Sequence, residues 1–141
     1  MKIAVLGAGA WGTAVAIHAA KQHEVSLWAR QPEDAQAMQA ERCNTRYLPG
    51  VPFPEKLAVA SGTASASDVA DQDLLILAAP VAGLRTQLER LRGSTVPLVW
   101  LCKGFEAVQP GAGFGLLPHE VKQQVAPELP AIVRKPDPAD W

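Results

Sequence analysis

The sequence predicts an α/β fold: a doubly wound, mostly parallel sheet with helices on both faces, forming a single domain. Three observations carry that expectation. Apolar runs of four to six residues alternate with stretches of helical spacing. Two of those runs, 74–79 and 98–102, are apolar throughout, as strands covered on both faces are. The first run passes through a glycine-rich turn straight into a helical stretch.

Ile3-Ala4-Val5-Leu6 is the first predicted strand, and Gly7-Ala8-Gly9-Ala10-Trp11-Gly12 follows it. Alanine-rich Thr13 to Lys21 reads as a helix that breaks at His23-Glu24, and Val25-Ser26-Leu27-Trp28 reads as the second strand. Strand, glycine turn, helix and strand within about 30 residues make a right-handed βαβ unit. Pro32 to Arg42 is expected to be helical: Pro32 suits a first helical position, Glu33 and Asp34 suit the positive helix end, and Met38 offers an apolar contact. Cys43 to Glu55 contains Pro49-Gly50, Pro52 and Pro54, which admit neither a regular helix nor a central strand.

A short strand is expected at Leu57-Ala58-Val59-Ala60, then a brief Ser/Ala/Asp helix ending near Asp71. Leu74 to Ala79 is the central strand, stopped by Pro80. Val81 to Leu91 is an amphipathic helix with Leu84, Leu88 and Leu91 on one face, closed by Gly93. Leu98 to Cys102 is a further buried strand leading into Lys103-Gly104. Beyond a glycine-rich turn, Leu116 to Val125 reads as helix and Leu129 to Val133 as a last strand. Residues 1–133 are thus expected to form the domain and 134–141 a loosely attached tail.

At 141 residues the chain suits one domain. Thirteen basic and fourteen acidic side chains give a formal charge of -1 with no basic block, so no nucleic-acid partner is expected. No apolar run is long enough to cross a bilayer and the N-terminus carries no leader pattern, which argues against membrane insertion and for a cytoplasmic protein. Cys43 and Cys102 lack the paired spacing of a zinc or redox motif and read as reduced thiols. His18, His23 and His119 are not grouped with other ligands, so no metal site is expected. His18 is expected to pack within its helix and the other two to lie at the surface.

The glycine triplet carries the chemistry. Gly7 permits the tight turn out of the strand, Gly9 lets a pyrophosphate approach bare backbone, and Gly12 lets helix and strand pack closely. The helix start supplies N–H groups and partial positive charge for phosphates, the signature of a Rossmann-type dinucleotide site. No phosphate-loop lysine follows, which excludes an ATPase site of that kind. Ligands of such sheets lie beyond the carboxyl ends of the strands, which singles out Trp11, Arg30, Pro80 and Lys103.

Arg30 stands about 20 residues past the glycines, where an arginine can pair with the 2′-phosphate of NADPH. Otherwise it is a solvated strand-end residue and Glu33 or Asp34 takes the ribose of NADH. Trp11 either shields the pyrophosphate or belongs to the core. Trp28 and Trp100 are expected to be packing residues. Lys103 meets a phosphate or carbonyl oxygen, or is simply solvated.

Gly7 through Ala14, Leu27-Trp28-Ala29-Arg30, Asn44 through Tyr47-Leu48-Pro49-Gly50, Ala78-Ala79-Pro80 and Lys103-Gly104-Phe105-Glu106 together resemble bacterial NAD(P)-dependent glycerol-3-phosphate dehydrogenases in order and spacing, over residues 1 to 130 or so. The resemblance implies reversible hydride transfer between NAD(P)H and dihydroxyacetone phosphate, giving sn-glycerol 3-phosphate for phospholipid synthesis. It places Ala10, Trp11 and Arg30 at the coenzyme and Lys103 near both nicotinamide and substrate, beside Gly7, Gly9, Gly12 and Pro80, which the glycine pattern and the strand ends assign to the coenzyme site.

Two departures stand out. Val81 occupies a position where the family more often has serine. After Ala131-Ile132-Val133, residues 134–141 do not follow the family's pattern, which there leads to a helical domain bearing the catalytic lysine and phosphate-binding residues. The expectation is a coenzyme-binding part without that helical domain, with no catalytic residue of its own and little or no activity alone. A non-catalytic dinucleotide-binding regulatory module is the competing expectation, against which the Asn44 and Lys103 motifs argue. A third is a poorly folding product that self-associates through exposed apolar surface.

Overall fold

The computed structural model describes residues 1–101 and 118–131, without the side chains of Val81, Ala82 and Pro118. In chain order its elements are β1 (Lys2–Leu6), α1 (Ala10–Ala19), β2 (Glu24–Ala29), α2 (Pro32–Glu41), β3 (Cys43–Asn44), β4 (Leu48–Pro52), β5 (Leu57–Ser61), β6 (Leu74–Leu77), α3 (Val81–Arg90), β7 (Leu98–Trp100) and α4 (Pro118–Val125).

Five strands form one parallel sheet in the order β5-β2-β1-β6-β7. The chain winds outward from β1 through β2 to β5, then returns to the other side of β1 for β6 and β7. That reversal leaves a crevice at the carboxyl ends of β1 and β6, where ligands of doubly wound sheets bind.

Alternation along β1 builds two cores. Ile3 and Val5 join Ala16, Ile17, Val25, Leu27, Ala35 and Met38 on the face covered by α1 and α2. Ala4 and Leu6 point the other way, with Leu75 and Leu77, onto Leu84 and Leu88 of α3, its C-cap Leu91 and Val121 of α4. These three leucines are fully buried, as their stripe requires.

Several elements differ from the sequence expectation, each for a local reason. Helix α1 begins at Ala10 rather than Thr13 because Gly9, in extended backbone, serves as its N-cap, so Trp11 and Gly12 lie in the first helical turn. His18 is exposed rather than packed within the helix: the buried positions Thr13, Ala16, Ile17 and Ala20 follow helical spacing, and position 18 falls on the opposite side. The brief helix expected before Asp71 is a run of turns. There Asp68 Oδ2 accepts both the Ser65 N–H and the Ser65 hydroxyl at 2.9 Å, a local bonding pattern that competes with helix.

Strand β6 stops at Leu77, two residues early, because its partner β1 turns away at Gly7. The last expected strand is, within the described residues, one parallel bridge between Ala131 and Leu98. The proline-bearing segment 43–55 holds no helix and no strand of the main sheet, yet β3 and β4 pair there as a separate antiparallel hairpin. Residues 102–117, with Cys102 and Lys103, and residues 132–141, with the expected tail, lie outside the described residues.

Candidate functional site

A cleft of about 760 Å³ opens at the carboxyl edge of the sheet. Its floor is the turn from Leu6 to Gly9, and its walls come from Ala10 and Trp11 at the start of α1, Trp28 to Gln31 after β2, Asn44 to Tyr47 of the hairpin, Ala78 to Pro80 after β6, and Gly83, Thr86 and Gln87 of α3. Its size falls within the range of small-molecule sites.

Gly7 has φ +124°, and a Cβ there would lie 2.8 Å from the backbone of Ala78 and Ala79. A Cβ on Gly12 would lie 2.1 Å from the Gly7 carbonyl oxygen, so the start of α1 touches the end of β1 backbone to backbone. Gly12 is therefore behind the bend and does not line the cleft. Gly9 does line it, and a Cβ there would meet nothing within 4 Å. No crowding by the described residues demands glycine at position 9, so the space it leaves open belongs to the cleft. The Gly7 N–H is spent on the Trp28 carbonyl at 3.1 Å, and the first intrahelical bond runs from the Thr13 N–H to the Gly9 carbonyl at 3.0 Å. The helix start thus turns its first N–H groups toward the cleft floor, where an anion is favoured.

Trp11 is 73% exposed and forms part of the cleft wall with Ala10, so it is not a core residue. Trp28 and Trp100 are half-buried and pack against the α3-side core, and Trp28 also lines the cleft. The Trp28 indole N–H is buried with no acceptor among the described residues. Pro80 is exposed on the cleft wall and caps α3, so a second helix start faces the same space.

Arg30 is exposed at the end of β2 on the cleft wall, and among the described residues no carboxylate pairs with it. Of the two acidic alternatives, Asp34 lines the cleft and Glu33 does not. Asp34 is paired with Arg46 at 3.6 Å, and the Arg46 guanidinium lies over the Tyr47 ring at 5.2 Å. The structure thus adds Arg46, Tyr47 and Asn44 to the cleft. Asn44 and Tyr47 belong to a segment conspicuous in the sequence only through the family resemblance, since nothing in their spacing marks them. Lys103 lies outside the described residues, and so does any contact it makes.

Among the described residues there is no group of three or more His, Cys, Asp or Glu able to hold a metal, and no helix is long and apolar enough to cross a membrane.

Comparison with known proteins agrees with this architecture. A family model described as the NAD-dependent glycerol-3-phosphate dehydrogenase N-terminus matches residues 2–133. Glycerol-3-phosphate dehydrogenase (NAD(P)+) of Acidovorax ebreus (strain TPSY) is 59% identical over 132 residues, covering 92% of this chain and 38% of the relative. The protein of the same name from Paracidovorax citrulli (strain AAC00-1) is 55% identical over 138 residues, covering 93% and 40%. Among solved structures, glycerol-3-phosphate dehydrogenase from Coxiella burnetii superposes with a TM-score of 0.77 at 30% identity, over 92% of this chain and 39% of that one. The chain therefore spans about two fifths of the length of the relatives it matches.

Proposed function

Because the chain belongs to the NAD-dependent glycerol-3-phosphate dehydrogenase N-terminal family, we propose that its cleft binds NADPH, and NADH more weakly. In this reading it is the coenzyme-binding part of an enzyme that interconverts dihydroxyacetone phosphate and sn-glycerol 3-phosphate. The observation that carries the reading is the opening at Gly9. Bare backbone and the start of α1 meet in a cleft that none of the described residues fills.

The residues present fit a phosphorylated dinucleotide. N–H groups from Ala8 to Trp11 hold the diphosphate, and Trp11 covers it from the rim. Arg30, which has no carboxylate partner among the described residues, takes the 2′-phosphate, with Arg46 lining the same cleft. Asp34 does not oppose that phosphate at full strength, because Arg46 already pairs with it. Pro80 and the start of α3 border the far end of the site.

When bound, the coenzyme supplies or accepts the hydride. Lys103 is assigned from the sequence alone: its ammonium stabilises the substrate oxygen on which negative charge grows as the carbonyl is reduced. These 141 residues by themselves are proposed to bind coenzyme without ordinary turnover, because holding dihydroxyacetone phosphate at reacting distance needs a second surface facing the cleft. A cytoplasmic location accords with this chemistry. Self-association through the exposed Trp11, Tyr47 and Leu101 is part of the proposal for the isolated chain.

Titrating intrinsic tryptophan fluorescence with NADPH and NADH, alongside a light-scattering mass, tests the reading. Saturable quenching by both, tighter for NADPH, is expected. Failure of both to bind overturns it.

A further inference from the structure

The β3–β4 hairpin has no task in the coenzyme reading beyond lending Arg46 and Tyr47 to the wall, yet it contributes a buried polar side chain to the glycine bend. Asn44 is only 4% exposed. Its Nδ2 donates to the Ala8 carbonyl oxygen at 2.9 Å and to Thr13 Oγ1 at 2.9 Å, and its Oδ1 accepts the Tyr47 N–H at 3.3 Å. A carbonyl can only accept and a backbone N–H can only donate, so this network fixes which way round the amide sits. Both Nδ2 hydrogens are used.

Those two acceptors bracket the phosphate-binding turn. Ala8 stands between Gly7 and Gly9, and Thr13, fully buried, closes the first hydrogen bond of α1 onto Gly9. The hairpin is itself anchored. The Phe53 N–H donates to the Arg42 carbonyl at 2.7 Å, Arg42 Nη2 donates to the Pro54 carbonyl at 2.9 Å, and Phe53 is buried in the α1/α2-side core. A glycine-rich bend has few side chains of its own to hold it and the most backbone freedom to lose on binding.

We propose that Asn44 is a positioning residue. It locks the Gly7–Gly12 bend with its N–H groups turned into the cleft, so the hairpin serves as an external brace that orders the diphosphate site before coenzyme arrives. Pre-ordering removes a cost that binding would otherwise carry. The inference rests on the coenzyme reading above for its purpose, though not for the brace itself.

The test compares the whole 141-residue chain with Asn44→Asp, which keeps the shape and removes the Nδ2 donor, and with Asn44→Ala, which removes the side chain's polar atoms without adding charge. Thr13→Val and Thr13→Ser accompany them. Three quantities are measured: affinity for NADPH, affinity for adenosine 2′-monophosphate, and hydrogen–deuterium exchange across residues 8–13.

The expected result is NADPH binding weakened roughly tenfold in both Asn44 variants, each of which loses the Nδ2 bonds to Ala8 and Thr13 that hold the bend. Binding of adenosine 2′-monophosphate, which has a 2′-phosphate and no diphosphate, should stay within about twofold of native, since the brace acts on the other end of the site. Exchange across 8–13 should accelerate, and Thr13→Ser should behave as native while Thr13→Val follows Asn44→Ala. Equal weakening of both ligands would show general damage to the cleft and overturn the positioning role, as would unchanged exchange. If the native chain binds neither NADPH nor NADH, the coenzyme reading fails. The exchange comparison still decides whether the brace exists.

Discussion

Gly12 and Gly9 separate what the glycine motif does for the fold from what it does for a ligand. Replacing Gly12 by Ala inside the first turn of a helix would, from intrinsic propensity alone, stabilise the protein by about 1 kcal/mol. The structure predicts the reverse. The new methyl would sit 2.1 Å from the Gly7 carbonyl oxygen and 2.9 Å from Ala78 Cβ, and the nearer atom is strand-end backbone with no rotamer to change. Overpacking of this severity belongs at or above the top of the roughly 1–3 kcal/mol range. The net loss is therefore about 2 kcal/mol or more, which lowers Tm by roughly 5–10 °C for a domain of this size. Gly9→Ala adds the same atom where nothing lies within 4 Å and the backbone φ of -75° is ordinary. It should leave Tm within about 2 °C, in line with surface substitutions of roughly ±0.5 kcal/mol. Its methyl enters the space the coenzyme would occupy, so NADPH affinity should fall by about tenfold or more. Differential scanning fluorimetry and fluorescence titration of the two variants measure both quantities. A Gly12→Ala protein as stable as native, or a Gly9→Ala protein as destabilised as the other, would refute the assignment of packing to one glycine and ligand access to the other.

Further outcomes follow from the cleft walls and the acid limb. Arg30→Ala should weaken NADPH by about tenfold to a hundredfold, as loss of a charge-assisted phosphate contact does, and barely change NADH; an unaltered preference ratio removes its phosphate role. Arg46→Ala releases Asp34 from its 3.6 Å partner, so the carboxylate becomes available to ribose hydroxyls and preference should move toward NADH in the same titration. The N–H and hydroxyl of Ser65 hold the Asp68 carboxyl below its ordinary value of 3.8. A folded-state value below the unfolded one stabilises above pH 3.8 and is lost as pH falls through the lower, folded-state value. Asp68→Asn should therefore flatten part of the fall in stability below that pH, read by acid denaturation followed by circular dichroism. NADPH oxidation with dihydroxyacetone phosphate by these 141 residues alone should be at background, and turnover at an ordinary enzyme rate, on the order of 1–1000 per second, would sink that expectation.

The main sheet was legible because its signals are local. Leu74 to Leu77 could only be a strand covered on both sides, Leu84, Leu88 and Leu91 repeat at helical spacing, and the glycines after Leu6 restrict the backbone within a few residues of themselves. The structure departs from the sequence reading where a distant partner decides. Asn44 is bonded to Ala8 and Thr13 across 36 and 31 residues, and no period or spacing in the chain announces those bonds. The hairpin around it was hidden by its prolines, which bar a central strand and are tolerated in a two-stranded pair.

By itself, then, the chain determined the layered α/β architecture, the parallel order implied by its alternation, and a tight glycine bend at its start, since hydrophobic period and glycine freedom act over a few neighbouring residues. Tertiary structure alone decided that α1 starts at Ala10, that Trp11 stands in the cleft wall and His18 faces away from the core, and that Arg46 pairs with Asp34. It also decided that an asparagine from a separate hairpin ties down the bend. Each of these depends on which side chains meet in space, a quantity that sequence separation does not encode.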